Sequence, residues 1–256
     1  MRVLLATLLV WLASVAIATA GWRLVSSHRE NSPNELVEHR EAVAENSASG
    51  ARATLCIALF SFDTATIRVI DQPHEPRSDL ATVMERTDAL AGVNGGYFDP
   101  QDAPVGLLVS SGKKIASRST AKLLSGVLWA SATRVEIVRA KHFSMNGKTW
   151  DALQCGPLLV EQAKPVPGLN DTRAARRTFA AVDGHGHAAV GVSSSVSLAD
   201  LGEILSLTNV SGSKKFVRAL NLDGGSSSAF WIAGNSEMFE QKTVRDFVGI
   251  FPRAGR

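Results

Sequence analysis

The sequence has no large excess of one charge, no internal repeat and no low-complexity tract. Its 27 Lys and Arg residues against 24 Asp and Glu leave a formal net charge of +3, which is too small to indicate a nucleic acid partner. Moderate charge together with 21 glycines is typical of a compact globular protein rather than a disordered one. A chain of 256 residues has room for one large domain or two small ones.

Cysteine is scarce, with only Cys56 and Cys155. Cys56 lies in an apolar run typical of a strand, and a disulfide would need the two Cα atoms within about 7 Å of each other. We expect two separate buried thiols, with the disulfide as the alternative. No histidine lies in a motif that would activate either thiol as a nucleophile, and the Gly-x-Ser-x-Gly elbow of serine hydrolases is absent.

The most informative segment is a carboxylate followed by glycines and serines after an apolar strand. The predicted strand over residues 216–222 runs into Asp223, which two glycines and three serines follow. Glycines allow positive φ and close backbone approach to a ligand, and successive N–H groups with small hydroxyls suit an anion. An aspartate at a strand end is held by the sheet and faces a cleft. The alternative is an ordinary Asp-Gly turn between two strands.

Three other segments at strand ends have the same character. They are Asn-Gly-Gly-Tyr-Phe-Asp at 94–99, Gln-Cys-Gly-Pro at 154–157 and Arg-Arg-Thr at 176–178. Binding and catalytic groups concentrate on loops that a rigid scaffold positions. We therefore predict that these loops converge, and that Asn94, Asp99, Gln154, Arg177 and Asp223 line one cleft.

In chain order, the segments NGGYFDP, PVGLLVSSGK, LQCGPLLV, RRTFAAVDGHG, SLADLGEIL and ALNLDGGSSS resemble those of the phosphodiester glycosidase family. The resemblance spans residues 53–251, and it is the ordered set that is specific. Two positions differ, because Cys155 stands where the family often has serine and Lys242-Thr243-Val244 stands for its late Arg-Pro-Val. The resemblance implies a hydrolase that splits a sugar from a phosphodiester.

Asp223, Arg177 and Asp99 are the predicted catalytic residues. Cleavage at an anomeric carbon passes through an oxocarbenium-like state, so a carboxylate such as Asp223 must activate water or attack directly. Phosphate is already a good leaving group, so a second acid is optional; Asp99 is the candidate, and its alternative is a turn residue before proline. The planar fork of Arg177 suits a phosphate, whereas Arg173 and Arg176 read as surface residues.

The predicted substrate-binding residues offer hydrogen bonds or close backbone approach. The amides of Asn94 and Gln154 can bind sugar hydroxyls or phosphate, and Tyr97 either stacks on a sugar ring or packs in the core. For the glycines a pure turn role, and for the serines simple solvation, are the alternatives. The full set is Asn94, Gly95, Gly96, Tyr97, Gln154, Gly156, Thr178, Gly224, Gly225, Ser226 and Ser227.

No cofactor is expected. An alternative is a Ca²⁺ or Mg²⁺ ion, because Asp223, Asp99 and Asn94 would supply the oxygen ligands that these cations prefer. His185 and His187 would share one face of a strand beside Asp183, but Asp-Gly-His-Gly-His is more typical of a hairpin tip than of a metal site.

The N-terminus predicts export. Met1 and Arg2 precede an apolar run over residues 3–20 that ends in Ala-Thr-Ala, as in a signal peptide, and the run would also serve as a membrane tether if it is retained. We predict a periplasmic or extracellular protein, with an inner-membrane anchor as the alternative. Residues 21–50 read as a polar linker or a loosely packed helix, and residues 51–256 as the functional domain.

Many strands and few helices predict the fold. Residues 55–62 and 66–70 read as a strand pair, and residues 184–186 as the turn of a hairpin. Helices are expected over 79–91, with Ser78 as N-cap, and over 198–207, with Ser197 as N-cap. This pattern predicts a single α+β domain on a mainly antiparallel twisted sheet with two or three helices.

Three functions fit the sequence. The first is an exported hydrolase that cleaves a sugar-1-phosphodiester in envelope or extracellular glycans. The second is a non-catalytic envelope module that binds phosphorylated glycans in the same cleft, for which the Asp223 carboxylate would be a hindrance. The third and weakest is a serine hydrolase that uses Ser226 or Ser227.

Overall fold

The computed structural model describes residues 21–30, 32, 34–212 and 215–253, and within them the chain forms eighteen strands and two α-helices. The helices are α1 (Leu80–Arg86) and α2 (Leu198–Ser206). The first nine strands are β1 (Trp22–Arg29), β2 (Val37–Asn46), β3 (Arg52–Ser61), β4 (Ala65–Asp71), β5 (Ala91–Asn94), β6 (Leu108–Ser110), β7 (Lys113–Ala116), β8 (Gly126–Ala130) and β9 (Val135–Arg139). The other nine are β10 (Asp151–Cys155), β11 (Leu158–Glu161), β12 (Lys164–Pro165), β13 (Ala175–Val182), β14 (His187–Val196), β15 (Arg218–Asn221), β16 (Phe230–Ile232), β17 (Asn235–Met238) and β18 (Asp246–Pro252).

The strands form three antiparallel sheets. The largest has eight strands in the order β1-β2-β3-β14-β13-β15-β11-β12, and the others have five each, in the orders β7-β6-β10-β8-β9 and β17-β16-β5-β18-β4. The predicted α+β class, with antiparallel strands and few helices, is confirmed. Three sheets take the place of the single sheet that was predicted.

The eight-stranded sheet is buried on both faces. In β3, Ala58 and Phe60 pack toward the two five-stranded sheets, whereas Leu55 and Ile57 pack on the opposite face, toward Leu201 of α2. This follows from the strand period of two, which sends successive side chains to opposite faces. The sheet that carries β13 and β15 is thus held rigidly between two cores.

Helix α2 begins as predicted. The Ser197 hydroxyl accepts a hydrogen bond from the Asp200 N–H, and the Asp200 carboxylate accepts one from the Ser197 N–H, which together form a capping box.

Helix α1 is shorter than predicted. Its N-cap is Asp79 rather than Ser78, and the Asp79 carboxylate accepts from the Thr82 N–H at 2.7 Å. The helix ends at Arg86 because Asp88 adopts φ +54°, outside the right-handed helical region. The chain then enters β5 at Ala91, which leads directly to the site.

The segment 21–50 is not a linker, and this prediction is wrong. It forms β1 and β2, and β2 pairs with β3 from Val37 opposite Phe60 to Glu45 opposite Arg52. Ala42 and Ala44 are fully buried and flank the partly exposed Val43, so the burial along β2 has a period of two that the polar composition of the segment concealed. The predicted signal peptide or anchor over residues 1–20 lies outside the described residues.

Strands β3 and β4 are consecutive but do not pair, contrary to the prediction. β3 pairs with β2 and β14, whereas β4 pairs with β18 in another sheet. The short Asp63-Thr64 connection carries the chain between sheets instead of closing a hairpin.

In the described part of the chain, no helix is long and apolar enough to cross a membrane.

Candidate functional site

Strand ends from all three sheets meet at one place. β5 ends at Asn94, opposite Phe247 near the start of β18, and β15 ends at Asn221, opposite Phe179 of β13. The Asp223 N–H donates to the Gly95 carbonyl at 3.0 Å and so joins the second five-stranded sheet to the eight-stranded one. The other five-stranded sheet reaches the same place at the end of β10, where the Gly156 carbonyl accepts a hydrogen bond from Asn221 Nδ2 at 3.0 Å.

Asn94 is the hub of this junction. It is completely buried. Its Nδ2 donates to the Asp223 carbonyl at 2.7 Å, and its Oδ1 accepts from Thr178 Oγ1 at 2.6 Å and from the Ala229 N–H at 3.0 Å. Asn94 and Thr178, both predicted to bind substrate, therefore bind each other and fix the backbone at Asp223.

Gly95 and Gly96 are glycines because Asp246 lies against them. A Cβ on Gly95 would lie 1.9 Å from Asp246 Oδ1, which itself accepts from the Gly96 N–H at 2.8 Å. The predicted close approach is thus to a protein carboxylate. Asp246 opens β18 and was not selected from the sequence, because it reads as one polar residue at the start of a predicted strand.

Asp246 carries an unusual carboxyl group. It is 1% exposed, and its Oδ2 makes no hydrogen bond among the described residues. Burial raises the pKa of Asp246 to about 7, although the Gly96 N–H opposes the rise. Ionising the buried Asp246 carboxyl costs free energy in the folded state, so the folded protein loses stability as this group loses its proton.

We expect the free energy of unfolding to fall as pH rises from about 4 to about 7, because the folded state holds the Asp246 proton in that range and the unfolded chain does not. Asp246→Asn should remove this part of the pH dependence, since an asparagine can still accept from the Gly96 N–H. Urea unfolding at several pH values measures it, with exposed Asp63→Asn as the matched control. Parallel stability curves for wild type and Asp246→Asn would contradict the expectation.

Tyr97 ties the end of β10 to the end of β15. Its hydroxyl donates to the Gly156 carbonyl at 2.8 Å and accepts from Asn221 Nδ2 at 2.9 Å. Burial raises the pKa of Tyr97, so the phenol stays neutral, and Asp223 and Arg177 are both close enough to influence it. Asn221, which also donates to the Gly156 carbonyl, was missed in the sequence because it lies inside the apolar strand.

Asp223 is partly buried beside a cation. Burial raises the pKa of Asp223; the Ser227 hydroxyl, the Gly224 N–H and the ammonium of Lys242 oppose the rise. The Gly224 N–H donates to Asp223 Oδ1 at 2.9 Å, whereas the buried Ser227 hydroxyl faces the carboxyl without an aligned hydrogen bond. Lys242 is exposed and also lies over the ring of Phe98, 4.7 Å from its centroid.

Arg177 is a neighbour of Asp223 through Gly224. A Cβ on Gly224 would lie 3.8 Å from Arg177 Cδ, so the arginine stem packs along this loop. Arg177 Nε donates to the Val196 carbonyl at 3.1 Å and Nη2 to the Arg173 carbonyl at 2.6 Å. Burial lowers the pKa of Arg177. Two of the three guanidinium nitrogens, Nε and Nη2, which were predicted to bind phosphate, thus anchor the side chain instead. The third, Nη1, makes no hydrogen bond with the described residues.

Arg176 is not the surface residue that the sequence indicated. It is half-buried, its Nε donates to the Gly225 carbonyl at 3.1 Å, and its Nη2 is buried without a hydrogen-bond partner among the described residues. Gly225 has φ +65°, which favours glycine, and exposed Ser226 accepts from the Gln241 N–H through its carbonyl. Two arginines therefore flank the Gly224–Gly225 loop.

Gln154 is committed to the protein interior. It is 1% exposed; its Oε1 accepts from the Leu107 and Ser119 N–H groups, and its Nε2 donates to the Ser119 and Leu124 carbonyls. Both lone pairs of its amide oxygen and both of its N–H donors are therefore used. The structure thus places Gln154 behind the loop 119–124 instead of facing a ligand.

Asp99 organises its own loop. Its Oδ1 accepts from the Gln101 and Ala103 N–H groups, both at 2.9 Å, as in a turn. For the alternative of a divalent cation, Asn94 is a poor ligand, because its Oδ1 already accepts two hydrogen bonds. Among the described residues, no three His, Cys, Asp or Glu side chains are grouped to hold a metal. The expected absence of a cofactor and the alternative of a divalent cation both stay predictions.

The histidines and cysteines lie in structural positions. Asp183 accepts from the N–H groups of His185 and His187 and contacts His187 Nδ1 at 2.9 Å, which forms the hairpin tip between β13 and β14. Cys56 and Cys155 lie in different sheets and form no disulfide. Burial raises the pKa of the Cys155 thiol, which disfavours the thiolate that a nucleophile would need.

Comparison with known proteins identifies relatives of this fold. A family model described as phosphodiester glycosidase matches residues 87–251. The protein YigE of Escherichia coli K12 is 26% identical over 118 residues, which are 43% of this chain and 46% of that protein, so the chain matches less than half of this relative's length. The catalytic domain of zebrafish N-acetylglucosamine-1-phosphodiester alpha-N-acetylglucosaminidase, auto-inhibited by its pro-peptide, superposes with a TM-score of 0.65 at 13% identity, covering 91% of this chain and 88% of that one. A hypothetical protein from Synechocystis superposes with a TM-score of 0.57 at 16% identity, covering 91% and 68%. At such identities the two structures show a shared fold.

Proposed function

The chain belongs to the phosphodiester glycosidase family, and on this basis we propose that it hydrolyses a sugar-1-phosphodiester with Asp223 as the reacting carboxylate. The observation that carries the proposal is the position of Asp223. It lies at the meeting point of the strand ends, partly buried, and the charge of Lys242 acts on its carboxyl. The next residue, Gly224, begins the loop along which the Arg177 stem packs. A carboxylate beside groups that attract anions is what the cleavage of a sugar from phosphate requires.

The chemistry breaks the bond between the anomeric carbon and the phosphate oxygen. The phosphate monoester departs with the bonding electron pair, and water supplies the oxygen that the anomeric carbon gains. Asp223 either removes a proton from that water or attacks the carbon first and is then released by water. In both routes Asp223 must be ionised, and the nearby Lys242 ammonium favours that form.

The phosphate would be held from the side of β13. Arg177 is oriented by two backbone carbonyls and presents Nη1, and Arg176 contributes a buried Nη2 that lacks a protein partner among the described residues. Hydrogen bonds between guanidinium groups and phosphate oxygens are charge-assisted and strong. Asn94, Tyr97, Thr178 and Gln154 would position the backbone rather than contact the sugar.

We also propose that the protein acts outside the cytoplasm on envelope or extracellular glycans. The basic start and the apolar run over residues 3–20 support export. Fractionation of cells that express the full chain would locate it, and recovery in the cytosolic fraction alone would contradict this part of the proposal.

The test of the activity is a screen of the purified protein against sugar-1-phosphodiesters that differ in the sugar, beginning with N-acetylglucosamine. We expect free sugar and phosphate monoester in equal amounts from at least one of them. If no member of the panel is hydrolysed above the uncatalysed rate, the proposal is wrong for the sugars tested, and the binding alternative gains support.

Arg177→Lys should lower kcat/KM on the phosphodiester by one to two powers of ten. Each lost charge-assisted contact is worth about 1.5–3 kcal/mol, and a lysine cannot reproduce both the anchoring bonds and the phosphate contact. The same change should have little effect on a sugar with a neutral aryl leaving group. Arg173→Lys is the matched control, because Arg173 is exposed and bonds to Arg177 through its backbone carbonyl, and lysine keeps the positive charge that acts on Arg177. Equal losses on both substrates would mean that Arg177 does not bind phosphate.

Lys242→Ala should shift the acidic limb of the kcat/KM profile to higher pH. The ionised carboxylate is the active form, burial already raises the pKa of Asp223, and the Lys242 charge opposes that rise. Removing the charge should raise the pKa further, so activity would be lost at a higher pH on acidification, whereas Lys242→Arg should retain the wild-type profile. An unchanged acidic limb in Lys242→Ala would separate Lys242 from the titrating group.

A further inference from the structure

A pocket of about 340 Å³ lies next to the site and takes no part in the proposed reaction. Its walls are the loop 118–125 and the segment 139–141, where β9 ends. Arg118 holds the two walls together, since its Nη1 donates to the carbonyls of Ala140 at 3.1 Å and Phe143 at 3.3 Å.

The pocket is strongly basic. Arg118, Lys122, Arg139 and Lys141 line it, and none of its lining residues is acidic. Arg139 is balanced by Glu161, with its Nε 2.9 Å from Glu161 Oε1. The exposed Lys122 and Lys141 form no ion pair with any described residue, so the pocket retains uncompensated positive charge.

The pocket also offers hydrogen-bonding groups of the right kind. Ser119, Thr120 and Ser125 lie on its walls beside the cations. Hydroxyls next to ammonium and guanidinium groups suit the oxygens of a phosphate, sulfate or carboxylate.

The pocket wall is connected to the site through Gly156. A Cβ on Gly156 would lie 2.0 Å from the Leu123 carbonyl oxygen and 2.8 Å from the Ser125 nitrogen, so the wall packs directly on this glycine. The Gly156 carbonyl accepts the hydrogen bond of Tyr97, whose pKa is influenced by Asp223. The buried Gln154 holds the same wall from below, through the Ser119 and Leu124 backbone.

We propose that the pocket formed by residues 118–125 and 139–141 binds a second acidic group of the substrate, one that lies beyond the phosphate of the bond to be cleaved. This inference rests on the proposed function for the identity of the reaction. It adds that the substrate is a polyanionic glycan or a phosphodiester whose alcohol carries its own acidic group.

The first test measures binding without catalysis. Calorimetric titration of the purified protein with inorganic tripolyphosphate should show binding that Lys122→Glu/Lys141→Glu weakens by about tenfold or more, as expected for lost contacts between charged groups. Lys148→Glu is the matched control, because Lys148 is exposed and lies outside the pocket. Absence of binding, or equal weakening by Lys148→Glu, would overturn the proposal.

The second test uses two N-acetylglucosamine-1-phosphodiesters, one with methanol as the alcohol and one with glycerol 3-phosphate. Wild type and Lys148→Glu should prefer the charged alcohol by roughly tenfold in kcat/KM, mainly through KM. Lys122→Glu/Lys141→Glu should lose this preference. Equal turnover of both substrates by wild type would overturn the inference while leaving the hydrolase proposal intact. If neither substrate is hydrolysed, the hydrolase proposal fails for this sugar, and the calorimetry still decides whether the pocket binds anions.

Discussion

Asp223→Asn is expected to lower kcat at least about a hundredfold, because it removes a positioned base or nucleophile from the reaction. The amide preserves the shape of the side chain, and its oxygen can still accept from the Gly224 N–H, as Asp223 Oδ1 does at 2.9 Å. Substrate binding should persist or improve, since an anion no longer faces the substrate phosphate. Steady-state kinetics on the substrate found in the screen would measure both effects.

Asp99→Asn is the companion variant. Asp99 Oδ1 accepts two backbone hydrogen bonds within its own loop, and an asparagine can keep both, so we expect kcat to stay within about threefold of wild type.

Full activity in Asp223→Asn would remove the carboxylate from the mechanism. If the wild-type protein bound phosphorylated glycans but hydrolysed none of them, the non-catalytic glycan-binding module would be favoured instead.

Asn94→Ala is expected to be the most destabilising single change at the site. It would leave the Asp223 carbonyl, the Ala229 N–H and the Thr178 hydroxyl without the partners that they now have. Each orphaned buried group costs about 1–3 kcal/mol, so the free energy of unfolding should fall by at least about 3 kcal/mol. Urea denaturation would measure this, and activity should fall as well because the Asp223 backbone loses one of its two anchors.

Asn146→Ala is the matched control for this prediction. Asn146 is exposed, and its side chain bonds within its own loop, to the Lys148 N–H at 2.9 Å. Its replacement should change stability by no more than about 1 kcal/mol. If both alanine variants unfold at the same urea concentration, Asn94 is not the hub that the hydrogen bonds indicate.

Local sequence was sufficient to predict the loops that meet at the candidate site. Glycines and small hydroxyls directly after apolar strands mark the places where a backbone turns closely, and this requirement is satisfied by a few neighbouring residues. The helix at Ser197 was likewise predicted correctly, since a capping box involves only residues three apart. The same holds for the hairpin tip at Asp183, whose bonds reach only to His185 and His187.

The direction in which each polar side chain points depended on contacts between residues far apart in the chain. The side-chain amides of Asn94 and Gln154 are groups that commonly bind ligands, but here they form hydrogen bonds with backbone groups far away in the sequence. Asp246 lies 150 positions from the Gly96 N–H that it accepts from, so no sequence window could have revealed its burial. Likewise, the partner of β4 is β18 and not the adjacent β3. Strand pairing and the satisfaction of buried polar groups are settled jointly across all three sheets, because a buried donor or acceptor takes whichever partner the packed chain brings within reach.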